Sequence, residues 1–264
     1  MTMESGMIRT FAVEGQTIAC RVELRQDASR GRSLVFLHGS SGDHTIWARQ
    51  YGPLRGLYNI AVPDFPGHGA SAGEVPEDIG GHLPWLKGLF GNLLFEKPVL
   101  VGHSMGAAVA LAFALRHGEK LGGIVLVGGG AKMPVNPMIL TGLKTDPAAI
   151  VAMIPRFAVA RKNRERIGSV LAGRLSVFRT DTLYRNLAAC SRFDVTAEAG
   201  DIRVPSLIVC GAEDKMTPPA LSQDLEKRIP GARLELIENA GHFAMMEEPE
   251  AFNGILRAFV DALV

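Results

Sequence analysis

Five short apolar runs constrain what this chain can fold into. Ser33-Leu34-Val35-Phe36-Leu37, Tyr58-Asn59-Ile60-Ala61-Val62, Val99-Leu100-Val101, Ile124-Val125-Leu126-Val127 and Ser206-Leu207-Ile208-Val209-Cys210 are apolar at consecutive rather than alternate positions. A strand with that pattern is covered on both faces, which is the situation of a parallel sheet whose crossovers are helices. Segments that read as helices lie between the runs, from Thr45 to Leu54, Ile79 to Phe95, Met105 to His117, Ala220 to Ile229 and Pro249 to Val264. The Ile79 to Phe95 segment is expected to be kinked or broken by Pro84 and its glycines. Residues 9 to 24 instead alternate apolar and polar about Glu14-Gly15 and read as two antiparallel strands. A weaker run, Leu234-Glu235-Leu236-Ile237, completes the series. The fold class expected is α/β, with a mostly parallel central sheet and helices on both faces.

The alternation fails between Ala131 and Ala197, where Pro134, Pro137, Pro147 and Pro155 separate amphipathic pieces and no comparable apolar strand occurs. This predicts a core of residues 1–130 and 198–264 carrying a helical cap, or lid, of residues 131–197. The inserted stretch holds eleven Lys and Arg against four Asp and Glu, so its net charge is +7 and the remainder of the +1 chain is −6. The asymmetry suits a cap that attracts an anionic acyl substrate or an acidic partner, and equally a solvated helix surface. The overall +1 gives no field for nucleic acid. Cys20, Cys190 and Cys210 have no paired spacing and leave one over in any disulfide scheme, which points to a reducing, cytoplasmic setting. No export signal or membrane span is visible, and no cofactor-binding or metal-ligand spacing stands out. Gly67-x-Gly69-x-x-Ala72 imitates a dinucleotide fingerprint, but Pro63 and Pro66 flank it and no helix opens after it. Oligomeric state is not legible.

Chemistry is concentrated where the third run ends, at Gly102-His103-Ser104-Met105-Gly106. A Gly-x-Ser-x-Gly pattern between a strand and a helix holds the serine on a sharp turn with its hydroxyl exposed at the sheet edge, and the tight backbone there demands small residues on either side. The N–H of Met105 would then point into the same space from the first helical turn. After the first run, His38-Gly39-Ser40-Ser41-Gly42-Asp43 forms a small-residue loop in which the Ser40 N–H is expected to be a second donor to an oxyanion. His38 is expected to bond the loop backbone, and His44, His68, His82, His103 and His117 are expected to be structural or exposed. Asp214 and His242 also follow directly on expected strands, so Ser104, Asp214 and His242 would emerge at one edge of a parallel sheet.

In this order, with Asp64-x-x-Gly67-x-Gly69-x-Ser71, Gly211-x-x-Asp214 and Gly241-His242 alongside, the chain resembles the alpha/beta-hydrolase fold family over nearly its whole length. The resemblance implies a serine hydrolase of the esterase type, working without a cofactor on a small-molecule substrate. In it His242 is general base, Asp214 orients the imidazole and Ser104 forms an acyl-enzyme on a carboxylic ester or related acyl bond. Ser104 in place of an Asp nucleophile disfavours the family's dehalogenases and epoxide hydrolases. A carbon–carbon bond hydrolase stays open as an alternative, although such members often carry Gly-Pro-Gly where this chain has Ser40-Ser41-Gly42. A non-catalytic small-molecule-binding protein of the same fold is the other. Met105, Met133, Met138, Met153, Met216, Phe243 and Met245 are candidates to line an adaptable apolar pocket, and also ordinary core filler.

Overall fold

The structure is a computed structural model describing residues 6–25, 32–40, 42–176 and 179–263. Eight strands form one sheet: β1 (Met7–Val13), β2 (Gln16–Glu23), β3 (Ser33–Leu37), β4 (Asn59–Pro63), β5 (Val99–His103), β6 (Gly123–Val127), β7 (Ser206–Gly211) and β8 (Arg233–Ile237). Their spatial order is β1-β2-β4-β3-β5-β6-β7-β8. β2 runs antiparallel to both β1 and β4, and every other neighbouring pair is parallel. The β1–β2 hairpin turns at Glu14 (φ 49°) and Gly15 (φ 73°), the paired positive φ that matches the twist of a two-residue hairpin.

The consecutive apolar runs become one buried row per face. Leu34, Phe36, Val99, Val101, Val125, Val127, Leu207 and Val209 pack with residues of α1 (Ala48–Leu54) and α10 (Pro249–Ala262). Their neighbours in sequence, Val35, Leu37, Leu100, Ile124, Leu126 and Ile208, pack with α2 (Leu83–Leu93), α3 (Met105–His117) and α8 (Pro219–Arg228). All are at least 96% buried, and each such side chain contributes roughly 1.5–3 kcal/mol. The alanines of α3 are buried almost end to end, which lets that helix lie close against β5 and β6.

Two helices begin later than their sequence pattern suggests. The Thr45 to Leu54 segment opens as a 3-10 turn, His44–Trp47, because Asp43 accepts the Thr45 N–H at 2.8 Å, and α1 follows it. Pro84 does not break the next helix; it occupies the first turn of α2, where a missing N–H costs nothing.

Between β6 and β7 the chain leaves the sheet for a run of helices. It forms α4 (Pro137–Thr145), α5 (Pro147–Ala158), turns over residues 161–168, α6 (Ser169–Ser176) and α7 (Thr180–Arg192). Pro137 and Pro147 open helices, behind the side-chain caps of Asn136 and Asp146. The two ends of the excursion are joined: the Val195 N–H donates to Ala131 O at 2.8 Å, and Lys132 bridges to Asp194. α9 (Ala244–Glu247) follows β8 and leads into α10. Among the described residues no helix is long and apolar enough to cross a membrane.

Candidate active site

The strand ends decide the site. β5 stops at His103 and α3 starts at Met105, so Ser104 makes the whole turn alone, at φ 54° and ψ −116°. Such a conformation costs a non-glycine residue of order 1–3 kcal/mol and persists only where surrounding bonds dictate it. Here the Ser104 N–H donates to Val127 O on β6 at 2.8 Å, and Ser104 O accepts from the N–H groups of Ala107 and Ala108. The flanking glycines are required sterically: a Cβ on Gly102 would lie 2.1 Å from Gly106 O, and one on Gly106 would lie 2.5 Å from Leu37 O.

At the end of β7, Asp214 is buried and receives three hydrogen bonds from one turn. The N–H groups of Met216 and Thr217 donate to Oδ1 at 2.8 and 2.9 Å, and the Thr217 hydroxyl donates to Oδ2 at 2.8 Å. Burial alone would raise this carboxyl, but the charge and hydrogen bond of His242 together with the Thr217 bonds outweigh it and hold Asp214 below the ordinary carboxylate value. Asp214 is therefore an acceptor only, and His242 Nδ1, 2.9 Å from Oδ2, must carry the proton. In the neutral ring that tautomer leaves Nε2 of His242 unprotonated and able to accept.

Thr217 and Gly128 are site residues that the sequence reading passed over. Thr217 completes the Asp214 cradle and places its hydroxyl 3.1 Å from His242 Nδ1; the signal was Thr217-Pro218 following Asp214 at fixed distance. Gly128, at φ 58°, lies beneath the pair, and a Cβ there would approach His242 Nδ1 to 3.1 Å and Asp214 Oδ2 to 3.4 Å. His103, expected to be structural, is buried beside them and its Nε2 lies 2.9 Å from His242 O. Burial, reinforced by the neighbouring His242 charge, drops its pKa to about 3, so it stays neutral and donates this bond from Nε2.

The loop after β3 lies against the elbow: a Cβ on Gly39 would sit 3.1 Å from Ser104 Cβ. His38 does what the sequence suggested, bonding loop backbone. Its Nε2 accepts the Phe65 N–H at 3.0 Å, which puts the proton on Nδ1 for donation to Gly39 O at 2.8 Å. The backbone N–H groups of Ser40 and Met105 donate to no backbone acceptor among the described residues. Ser41 lies outside those residues.

Ser40, Ser104 and His242 open into one cavity of about 630 Å³ between the sheet edge and the β6–β7 excursion. Met133, Met138, Met153, Met216 and Phe243 all line it, with Ile139, Ile150, Ile154, Phe157, Leu183 and Leu187. Met105 and Met245 do not: both are fully buried in the core, where helices α3 and α9 place them. The cationic side chains on the wall are Lys215, which is exposed, and Arg174, which is 3.5 Å from Asp43 and also donates to Thr45. Among the described residues no group of three or more His, Cys, Asp or Glu is arranged to hold a metal ion.

Comparison with known proteins identifies the family. The model of the alpha/beta hydrolase family matches residues 34–255. The chain is 29% identical, over 97% of its length and 96% of the relative's, to the 2-hydroxy-6-oxononadienedioate/2-hydroxy-6-oxononatrienedioate hydrolase of Cupriavidus pinatubonensis. It is similar to a solved thermophilic esterase at TM-score 0.83 and 29% identity, covering 97% of this chain and 98% of that one. The fold also matches the enol-lactonase of Burkholderia xenovorans at TM-score 0.88 and 24% identity, covering 96% of this chain and 100% of that one. The chain belongs to the alpha/beta hydrolase family and is a hydrolase of that fold.

Proposed function

We propose that the protein hydrolyses carboxylic esters through an acyl-enzyme on Ser104. The observation that carries the reading is the strained Ser104 elbow facing the same cavity as a His242–Asp214 pair whose tautomer is already correct for a base. His242 Nε2 takes the Ser104 proton as Oγ attacks the acyl carbon, and Asp214 stabilises the imidazolium that forms. The N–H groups of Ser40 and Met105 receive the developing oxyanion; two preset backbone donors are worth roughly 2.7–4 kcal/mol each in the transition state. The proton on His242 then passes to the leaving alcohol, and a water activated by the same nitrogen releases the acid.

Residues 131–197 act as a cap in this reading, and their apolar lining selects the acyl group. Arg174 is already engaged by Asp43, so an anionic acyl group would gain that cation only by displacing the carboxylate, and the other wall cation, Lys215, is exposed to solvent. Neutral, medium-length acyl esters fit best. The long apolar stretch of the wall, beside the cations Arg174 and Lys215, favours an uncharged acyl chain over the dioate substrates named for the Cupriavidus relative. The three cysteines are free and buried, which suits a reducing, cytoplasmic setting.

A fluorophosphonate probe and a panel of p-nitrophenyl esters test the proposal. Labelling and turnover that both vanish in Ser104→Ala support it. Labelling without ester turnover, together with cleavage of a vinylogous carbon–carbon substrate, would replace it with the carbon–carbon reading. No labelling of the native protein would leave a binding protein.

A further inference from the structure

The loop that carries His242 is fastened to the cap by a carboxylate outside the Ser104–His242–Asp214 set. Glu247, at the end of α9, is fully buried, and no cationic side chain pairs with its carboxylate among the described residues. Its Oε1 accepts the N–H of Gly241, the residue before His242, at 2.9 Å. Its Oε2 accepts the N–H of Ala160, just beyond α5, at 2.8 Å, with the Asn163 side-chain amide 3.4 Å away. The same short stretch bonds the His242 loop twice more: the His242 N–H donates to Ala158 O at 2.7 Å, and Asn163 Nδ2 donates to Asn239 O at 2.8 Å. Arg166 donates to the Glu247 carbonyl at 2.6 Å rather than to its carboxylate.

A buried carboxylate without a counter-ion is expensive, and it is retained only where both oxygens are satisfied by donors. Every group that bonds this one is a donor, and the Ala160 and Gly241 backbone donors belong to segments far apart in the chain. Burial pushes the carboxyl above its ordinary value, and the Ala160, Gly241 and Asn163 donors oppose that rise. No neutral side chain of the same length reproduces the arrangement, because glutamine has one acceptor oxygen and would turn its NH₂ toward an N–H.

We propose that Glu247 is a positioning residue that couples the cap to His242, so that an acyl group filling the cavity beneath α4–α7 tightens the placement of the imidazole. The inference rests on the ester-hydrolase reading and on residues 131–197 acting as a cap. His242 is held from the core side by Asp214 and His103, and those bonds serve every substrate. The bonds from residues 158–163 are the ones that movement of the cap can change. A short acyl group leaves the cap unengaged and relies on the core bonds alone.

The test compares acetyl and octanoyl p-nitrophenyl esters in wild type, Glu247→Gln and Asn163→Ala, with melting curves for all three. Expected is a kcat on the octanoyl ester lowered about tenfold in Glu247→Gln, against less than about twofold on the acetyl ester, with little change in KM. Asn163→Ala, which leaves Glu247 its two backbone donors, should show the same split at about threefold, and it decides the matter alone if the glutamine variant does not fold. Equal losses on both esters, or a change confined to KM, would overturn the coupling while leaving the ester reading intact. Absence of turnover and of fluorophosphonate labelling in wild type would remove both.

Discussion

The sheet edge and the helices between β6 and β7 differ in how firmly their side chains are held. At the sheet edge Asp214 and His242 are 3% and 5% exposed, and each is held by bonds from more than one residue. Between β6 and β7, α5 is apolar at every position but Arg156, yet only Ala158 is buried; Met153 and Phe157 are 48% and 42% exposed, and Met138 on α4 reaches 77%. Bond making needs dipoles fixed before the substrate arrives, so reorganisation does not add to the barrier. On the proposed reading, selection of an acyl chain needs surface that can re-pack, and the flexible methionines of α4 and α5 would supply it.

The sharpest way to break this contrast is at the elbow. Ser104→Ala should lower ester turnover by roughly 10⁴–10⁶ with an unchanged melting curve, and retention of even about a tenth of the activity would move the chemistry elsewhere. Asp214→Asn should cost about 10⁴ in kcat, since an amide turned toward His242 favours the wrong tautomer. Gly128→Ala crowds the pair without touching it chemically, and a fall of about 10² in kcat at near-constant KM is expected.

Asp64 tests the support beneath the site rather than the site itself. It is buried and accepts the His44 N–H at 2.6 Å, the His44 ring at 2.9 Å and the Ala70 N–H at 2.8 Å. Burial raises its carboxyl, but the bonds from His44 and Ala70 prevail and hold it below the ordinary 3.8, while the bond to Asp64, against burial, raises His44 above 6.5. A depressed carboxyl contributes stability that is present above about pH 4 and lost as pH falls through its folded value. The raised His44 contributes below 6.5 and loses that contribution as pH rises through its own folded value. Asp64→Asn should thus destabilise by about 3 kcal/mol in denaturant melts near pH 6, with the difference shrinking in acid. A constant difference from pH 3 to pH 7 would show that the bonds do not depend on ionisation. The smallest effect belongs to the cap: Met153→Ala and Phe157→Ala should each change stability by less than about 1 kcal/mol and octanoyl-ester kcat/KM by about threefold to tenfold.

The residues of the edge were readable because local chemistry dictates them. Gly102 and Gly106 follow from a backbone contact that admits no Cβ, and the strands on either side follow from runs that only a doubly covered sheet accepts. The cap methionines were readable as a class but not individually. Met133, Met138, Met153 and Met216 reach the cavity, whereas Met105 and Met245 point into the core, and nothing in their neighbours' sequence separates the two groups. Thr217, Gly128 and Glu247 escaped for a related reason, since each acts in part through a partner far along the chain, 25, 114 and 87 positions away.

The sequence by itself determined the order of strands and helices, the serine elbow, and the three residue types that follow strand ends, because each depends on periodicity or on sterics within a few residues. Only the tertiary structure decided which tautomer His242 holds, which side chains wall the cavity, and how residues 158–163 are bonded to the His242 loop. Those depend on hydrogen bonds and packing between segments far apart in the chain, and such pairings leave no local pattern.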